Sequence, residues 1–124
     1  MKELTRAEEQ VMQILWEIDR AFVKDILASF PEPRPAYNTV STIVRILEKK
    51  GFVGHEAFGK SYRYYPLVQK EAYRSERFKD LMKGYFNNSM KQVLSHFSNA
   101  DQLDMKEADE LIELLEEIKQ NSEK

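Results

Sequence analysis

The stretch "PAYNTVSTIVRILEKKGFV", residues 35–53, interleaves two sets of side chains at helical spacing. The aliphatic set recurs every three or four residues and comprises Val40, Ile43, Val44 and Leu47. The polar set between them comprises Asn38, Thr39, Ser41, Thr42 and Arg45. Gly51 is placed to adopt the left-handed conformation that ends a helix. The spacing therefore predicts a helix from about 36 to 50, with its aliphatic face buried and its polar row pointing outward.

The segment before this helix predicts two shorter helical elements. Thr5 and Glu8 have the spacing of a capping box, which favours a first helix from about 5 to 18. Apolar residues between 23 and 30 indicate a short second helix. The prolines between 31 and 35 must end it, because proline lacks an amide donor and restricts the residue before it.

The segment after Gly51 changes from helical spacing to runs of aromatic and β-branched residues. Two such runs flank Gly59-Lys60 in "FVGHEAFGKSYRYYPL", residues 52–67, and predict a β-hairpin with its tip at this dipeptide. Ala21-Phe22 is interpreted as a further short extended piece. Three helices followed by a two-stranded hairpin is the order of a winged helix-turn-helix. The predicted fold class is therefore mainly α, with a winged N-terminal domain and a helical C-terminal dimerisation region.

The chain beyond the hairpin is predicted to form further amphipathic helices. We assign residues 1–74 to a winged helix DNA-binding domain and residues 75–124 to a helical dimerisation domain. A lobe this small buries little surface alone, and two-fold dimers are common, so its apolar stripe is expected to meet a second copy. The alternative is packing against the first lobe of the same chain. The residues predicted at the dimer contact are Phe78, Leu81, Tyr85, Phe86, Val93, Leu94, Phe97, Leu111, Leu115 and Ile118.

Composition narrows the class of protein. The 124 residues are 42% hydrophobic and 32% charged, as in a soluble globular protein. No apolar run approaches the roughly 20 residues of a membrane span, and the first residues lack the apolar core of a secretory signal. The absence of cysteine removes disulfides and thiolate metal sites. We therefore expect a cytoplasmic protein.

Charge is unevenly distributed along the chain. Between residues 34 and 74, eight basic residues face three acidic ones, a net charge of +5. Between residues 101 and 117, one basic residue faces eight acidic ones, a net charge of −7. A basic middle and an acidic end imply two surfaces with different partners.

The polar row of the third helix suits the edges of DNA base pairs. In a winged helix-turn-helix this helix enters the major groove, where amide, hydroxyl and guanidinium groups read bases. The predicted base-reading residues are Asn38, Thr39, Ser41, Thr42 and Arg45. The predicted contacts to the DNA backbone, including those from the wing, are Arg34, Tyr37, Lys49, Lys60 and Arg63. The expected partners are double-stranded operator DNA and a second copy of the chain.

Other interpretations of these features stay open. A polar helix face is often merely solvated, and the apolar tail also fits a winged-helix protein-interaction module without specific DNA binding. Tyr62, Tyr64 and Tyr65 suit either stacking on single-stranded bases or seating the wing on the core. His55 and His96 have no ligand cluster at metal-binding spacing. We predict no metal, no cofactor and no catalytic constellation, and hence no enzyme.

Four segments together resemble the BlaI/MecI-type repressors of penicillinase (β-lactamase) and methicillin-resistance genes. They are "LTRAEEQVMQILWE" at 4–17, "VKDI" at 23–26, "YNTVSTIVRILEKKGFV" at 37–53 and "GKSYRYYPLVQKEAY" at 59–73. The tail resembles the family only in its helical pattern. Phe22 departs from the family pattern, in which a hydroxyl cap commonly opens the second helix.

This resemblance implies a homodimeric repressor that binds an inverted-repeat operator, often beside a gene for a membrane sensor-protease. Family members are typically inactivated by proteolysis in the dimerisation lobe near an Asn-Phe bond. The nearest equivalent in this chain is His96-Phe97, so the expected asparagine is absent. The implied partners are thus operator DNA, a second copy and a membrane sensor-protease.

Overall fold

The computed structural model describes residues 2–99 and 103–122 of the chain. Its elements in order are α1 Arg6–Ile18, α2 Val23–Ser29, α3 Tyr37–Lys49, β1 Val53–Phe58, β2 Ser61–Pro66, α4 Lys70–Tyr85, α5 Met90–Asn99 and α6 Met105–Ser122. The chain divides into two compact units, Met1–Arg77 and Phe78–Lys124. The mainly helical fold with a small hairpin confirms the predicted fold class.

Local side-chain bonds explain where the first two helices begin. The Glu8 amide donates to the Thr5 hydroxyl at 3.2 Å, and the Thr5 amide donates to the Glu8 carboxylate at 2.9 Å. This confirms the predicted capping box. At α2 the phenyl ring of Phe22 cannot accept a bond, but the Asp25 carboxylate accepts one from the Phe22 amide at 3.0 Å. One half of a capping box therefore suffices there.

The core of the N-terminal unit forms where α1, α2 and α3 meet beneath the hairpin. Val40, Val44 and Leu47 of α3 are 0% exposed, as the helical spacing predicts. Ile43, expected to be equally buried, lies at the margin and is only partly covered. Fully burying such aliphatic side chains stabilises the folded state by about 1.5–3 kcal/mol each. The other core members include Val11, Met12, Leu15, Ile26 and Phe52.

The hairpin is a two-stranded antiparallel sheet, which we call the wing. Its register runs from Val53 opposite Pro66 to Phe58 opposite Ser61. Gly59 has φ +61°, the left-handed conformation that suits glycine in a tight turn, and Lys60 follows it at the tip. Both features confirm the predicted hairpin.

The wing is fixed to the helices by a backbone bridge. Ala21 donates to the Tyr64 carbonyl at 2.9 Å, and the Tyr64 amide donates to the Ala21 carbonyl at 2.7 Å. The expected extended piece at Ala21 therefore pairs with β2 as an isolated antiparallel bridge. The bridge links the start of α2 to the wing.

The first turns of α4 belong to the N-terminal unit. Trp16 of α1 donates its indole N–H to the Val68 carbonyl at 2.9 Å. The Tyr73 ring lies 5.7 Å from Trp16 and 5.9 Å from Phe52, measured between centroids, and its hydroxyl donates to Glu9. Burial, together with this hydrogen bond to a carboxylate, raises the pKa of Tyr73. Tyr73 is thus held as a neutral hydrogen-bond donor.

The C-terminal unit contains the end of α4 with α5 and α6. The Asp104 carboxylate accepts the Glu107 amide at 2.8 Å and so caps α6. Among its described residues only Met82 and Val93 are buried, and α6 has no buried residue. The helices are those expected from the sequence, but the described residues of this unit do not enclose a core.

Candidate nucleic-acid interface

The polar row of α3 lies on the side of the helix opposite its buried aliphatic residues. Asn38, Thr39, Thr42 and Arg45 are exposed, and Ser41 is half-buried. Burial of the aliphatic face fixes the rotation of the helix, so these polar groups cannot turn inward without exposing the core. These five polar side chains therefore form one exposed or partly exposed row along α3.

Two members of the row are bonded within the helix. The Thr42 hydroxyl donates to the Asn38 carbonyl at 2.9 Å. The Arg45 guanidinium donates to the Ser41 hydroxyl at 3.0 Å and to its carbonyl at 3.4 Å. These exposed bonds compete with water and are individually weak, so Arg45 can leave Ser41 when a better acceptor is offered.

The residues predicted to contact the DNA backbone lie around this row. Tyr37, in the first turn of α3, is 53% exposed. Lys49 and Lys60 are exposed at the end of α3 and at the wing tip. Arg34 is exposed but donates to the Phe30 and Ala28 carbonyls at 3.2 and 3.3 Å, where it satisfies carbonyls at the end of α2.

A groove of about 600 Å³ separates α3 from the wing and the start of α2. Its charged lining side chains are all cationic: Lys24, Arg45 and Lys60. The other lining residues are Phe22, Val23, Tyr37, Ser41, Phe58, Ser61, Tyr62 and Tyr64. Three cations without a carboxylate form a surface that favours an anion such as phosphate.

Sequence reasoning missed Lys24 as a member of this surface. Lys24 lies in α2, where the sequence shows only a cation next to Asp25 on a short helix. The bridge between Ala21 and Tyr64 brings the start of α2 beside the wing. A tertiary contact of this kind leaves no local signal in the sequence.

Arg63 has different surroundings from Lys60. It is half-buried on the wing, with its Nη2 atom 3.7 Å from the Glu56 carboxylate. Its guanidinium carbon lies 4.6 Å from the centroid of the Phe58 ring. Arg63 is therefore held within the wing, whereas Lys60 extends from its tip.

His55 and the tyrosines join the wing to the core. His55 pairs with Glu48 of α3, and its ring lies 4.4 Å from that of Tyr62. Tyr64 is buried, and this burial raises the pKa of its hydroxyl. The buried position of Tyr64 favours the seating role over base stacking for this residue, whereas Tyr62 is exposed and Tyr65 half-buried.

One charge in the basic segment is not available to a partner. The Lys50 ammonium donates to the Glu8 carboxylate at 2.6 Å and to the Glu3 carbonyl at 3.1 Å. Burial raises the pKa of Glu8, but the hydrogen bonds from Lys50 and Thr5 outweigh that effect and hold it below the ordinary value. Lys50 thus fastens the end of α3 to the start of α1.

The apolar residues predicted at a dimer contact lie on all three helices of the C-terminal unit. Val93 is buried, Phe86, Leu94 and Leu111 are partly covered, and the rest are exposed: Phe78, Leu81, Tyr85, Phe97, Leu115 and Ile118. His96 and Phe97 lie within α5, with their rings 5.7 Å apart. Six of the ten predicted contact residues are thus exposed in the described part of the chain.

Two kinds of site are absent from the described residues. Residues 2–99 and 103–122 contain no group of three His, Asp or Glu side chains that could hold a metal ion. No helix in this part of the chain is long and apolar enough to cross a membrane.

The three helices, the wing and the exposed row on α3 define a winged helix-turn-helix protein. A solved MarR family protein from Bacillus stearothermophilus has this fold. It is 15% identical, with a TM-score of 0.52, and the match covers 99% of this chain and 78% of that one. Likeness at this level shows the fold alone.

The chain belongs to the penicillinase repressor family, whose sequence model matches residues 4–117. It is 24% identical over 118 residues to the penicillinase repressor of Bacillus licheniformis, covering 94% of this chain and 92% of that one. It is 25% identical over 114 residues to the methicillin resistance regulatory protein MecI of Mammaliicoccus sciuri, and the match covers 91% of this chain and 93% of that one. The family consists of transcriptional repressors and not of enzymes, and the resemblance found in the sequence is confirmed.

Proposed function

We propose that the chain is a dimeric, sequence-specific repressor that binds an inverted-repeat operator. The observation that carries this proposal is the exposed polar row of α3, which lies opposite Val40, Val44 and Leu47 and beside the cation-lined groove. A surface that pairs compact hydrogen-bonding groups with nearby cations suits base edges flanked by phosphates.

Within this proposal the residues of α3 read bases and the residues around it hold the backbone. Asn38 is suited to adenine, and Arg45 to guanine once it leaves Ser41. Thr39 and Thr42 offer both a hydroxyl and a methyl group to the major groove. The proposed backbone contacts are Arg34, Tyr37, Lys49 and Lys60, with Lys24 added because it shares the groove.

The dimer is proposed from the exposed apolar residues of the C-terminal unit. The described part of this unit leaves Leu115 and Ile118 about half exposed, at 49% and 51%. A second copy related by a two-fold axis would cover the same surface on both chains. Two recognition helices related in this way match a palindromic site, since each helix reads only a few base pairs.

Inactivation by proteolysis is a separate part of the proposal and rests on the family resemblance. The His96-Phe97 bond lies inside α5, so the helix must open locally before a protease can cut it. We propose a membrane sensor-protease as the partner for this step. If a membrane metallopeptidase gene lies beside this gene, co-expression of the two should yield a chain cut in α5. An intact chain would contradict this part of the proposal alone.

A gel-shift assay with the DNA upstream of the chain's own gene tests DNA binding. At low salt we expect the protein to retard this DNA. As the salt concentration is raised, retardation of the upstream DNA should persist after retardation of a scrambled duplex of equal length has been lost. The difference arises because phosphate contacts are lost to salt on any sequence, while base contacts are not. No retardation at low salt would instead favour a protein-interaction module built on the exposed apolar residues.

A further inference from the structure

One face of the wing carries a carboxylate shared by two arginines. Glu56 of β1 lies directly opposite Arg63 of β2, with 3.7 Å between the Glu56 Oε1 and Arg63 Nη2 atoms. The same Glu56 oxygen accepts a hydrogen bond from Arg20, which follows α1. The guanidinium carbon of Arg20 also lies 4.6 Å from the centroid of the Tyr65 ring. Glu56 therefore ties both strands of the wing to the helical core.

Arg63 also contacts Phe58, the residue next to the wing tip. Its guanidinium carbon lies 4.6 Å from the centroid of the Phe58 ring, within the range of a cation–π contact. The Phe58 ring in turn meets the Phe22 ring edge-on at 6.0 Å. Phe58 immediately precedes Gly59 and Lys60, so the contact that holds Phe58 also limits where the Lys60 ammonium can lie.

Arg63 itself is poorly placed to reach a phosphate. Its side chain is 34% exposed, and its Nε atom is buried with no hydrogen-bond partner in the described part of the chain. The remaining guanidinium surface is divided between Glu56 and Phe58. Reaching outward would break both contacts, whereas Lys60 is already exposed at the tip.

We infer that Arg63, held by Glu56, is a positioning residue that places Lys60 for its contact with a DNA phosphate, and that Arg63 does not make such a contact itself. This inference rests on the proposed DNA binding. It assigns the two cations of the wing to different tasks. Lys60 carries the charge to the backbone, and Arg63 restricts the tip before DNA arrives.

The decisive variant is Glu56→Gln, because the two roles of Arg63 predict opposite results. Removing a negative charge from a DNA-binding surface strengthens binding if electrostatics alone acts. If Glu56 positions Arg63 and the tip, the variant should instead weaken binding by about two- to tenfold, the range for one long side chain that is no longer preorganised. Glu17→Gln removes an equal charge from an exposed position on α1 and serves as the control.

Binding is measured with the full chain and the duplex upstream of its gene, by fluorescence anisotropy of labelled DNA at four salt concentrations. The salt slope is the steepness with which log affinity falls against log salt concentration. Lys60→Ala should lower it by about 1.8, as for one lost phosphate contact in each of the two copies. Arg63→Lys, which keeps the charge but loses the planar fork, should lose about as much affinity as Glu56→Gln. The double variant Arg63→Gln with Lys60→Ala should bind no more weakly than Lys60→Ala alone.

Additive losses in the double variant, with a further fall in the salt slope, would overturn the inference and make Arg63 a phosphate contact. Tighter binding by Glu56→Gln would also overturn it. If the wild-type chain binds no DNA, the proposed function fails, and ¹⁵N relaxation of the Gly59 and Lys60 amides still tests the positioning. Glu56→Gln should make these two amides more mobile while leaving those of α3 unchanged, and equal mobility in both proteins would refute it.

Discussion

In the N-terminal unit, fourteen apolar and aromatic side chains form one buried cluster, whereas in the described C-terminal unit only Met82 and Val93 are buried. Both units contain amphipathic helices, of 7 to 13 residues for α1 to α3 in the first and of 10 and 18 residues for α5 and α6 in the second. They differ in whether the apolar faces meet one another. The helices and wing of the first unit enclose their own core, and the 18 residues of α6 bury none of their side chains.

This difference separates two ways of using the same kind of helix. A face covered within the chain stabilises the fold at any protein concentration. A face left exposed contributes only when a partner covers it, so its contribution depends on concentration. The first unit should therefore behave as an independent domain, and the second as half of an interface.

The largest effect is expected from a charge placed on the exposed face of α6. Leu115→Glu should prevent dimerisation, because an unpaired carboxylate buried in an apolar interface costs several kcal/mol and a two-fold dimer contains two of them. Sedimentation velocity should show a dimer for the wild type and a monomer for the variant. Gln120→Glu adds the same charge on a polar position of α6 and should leave the dimer intact. A dimeric Leu115→Glu protein would place the contact elsewhere.

A slightly smaller effect is expected in the core of the first unit. Leu47→Ala should lower the free energy of unfolding by about 2–5 kcal/mol, since it leaves a cavity under α3. Ile46→Ala, on the exposed side of the same helix, should cost less than half as much. Urea denaturation at two protein concentrations measures both. The loss of unfolding free energy caused by Leu47→Ala should not depend on protein concentration. A marked dependence would contradict the difference that we draw between the two units.

The third-largest effect is expected on the affinity for DNA. Arg45→Ala should weaken operator binding by about 1–3 kcal/mol and relax the preference for one base, as expected for a base-reading arginine. Lys24→Ala should weaken binding to all sequences alike and lower the salt slope. Competition with duplexes that differ from the operator at one base pair distinguishes the effect of Arg45→Ala from that of Lys24→Ala. Equal losses on every duplex for Arg45→Ala would assign it to the backbone.

The smallest effect concerns the ion pair between Glu8 and Lys50. The folded-state pKa of Glu8 lies below its ordinary value of 4.5, so the pair contributes stability above that pH and loses it as the pH falls through the folded-state pKa. Glu8→Gln keeps a side chain suited to the capping box but removes the charge. Thermal melts should show the wild type more stable at neutral pH and the difference shrinking below pH 4.5. A constant difference would mean that the charge is irrelevant.

Much of the fold could be predicted because its signals are local. The capping box at Thr5 and Glu8, the aliphatic spacing of α3 and the Gly59-Lys60 tip each depend on residues close in sequence. They determine which face of α3 is buried and hence which side chains point outward. These features follow from backbone periodicity and turn chemistry, which a single sequence displays.

The parts that could not be predicted depend on residues far apart in the chain. Glu8 and Lys50 are 42 positions apart, so the sequence does not indicate that their charges pair. The Arg20 and Arg63 contacts to Glu56 and the place of Lys24 in the groove likewise need the bridge between Ala21 and Tyr64. For α6, the sequence predicts an apolar face without identifying what covers it.

The chain contains a single tryptophan, and it lies in only one of the two units. Trp16 is bonded to Val68 and stands against Tyr73, so its emission reports whether the first turns of α4 remain attached to α1. The C-terminal unit has no tryptophan, so it contributes no indole signal. Tryptophan fluorescence can therefore follow the melting of the first unit by itself, while circular dichroism reports on the helices of both units.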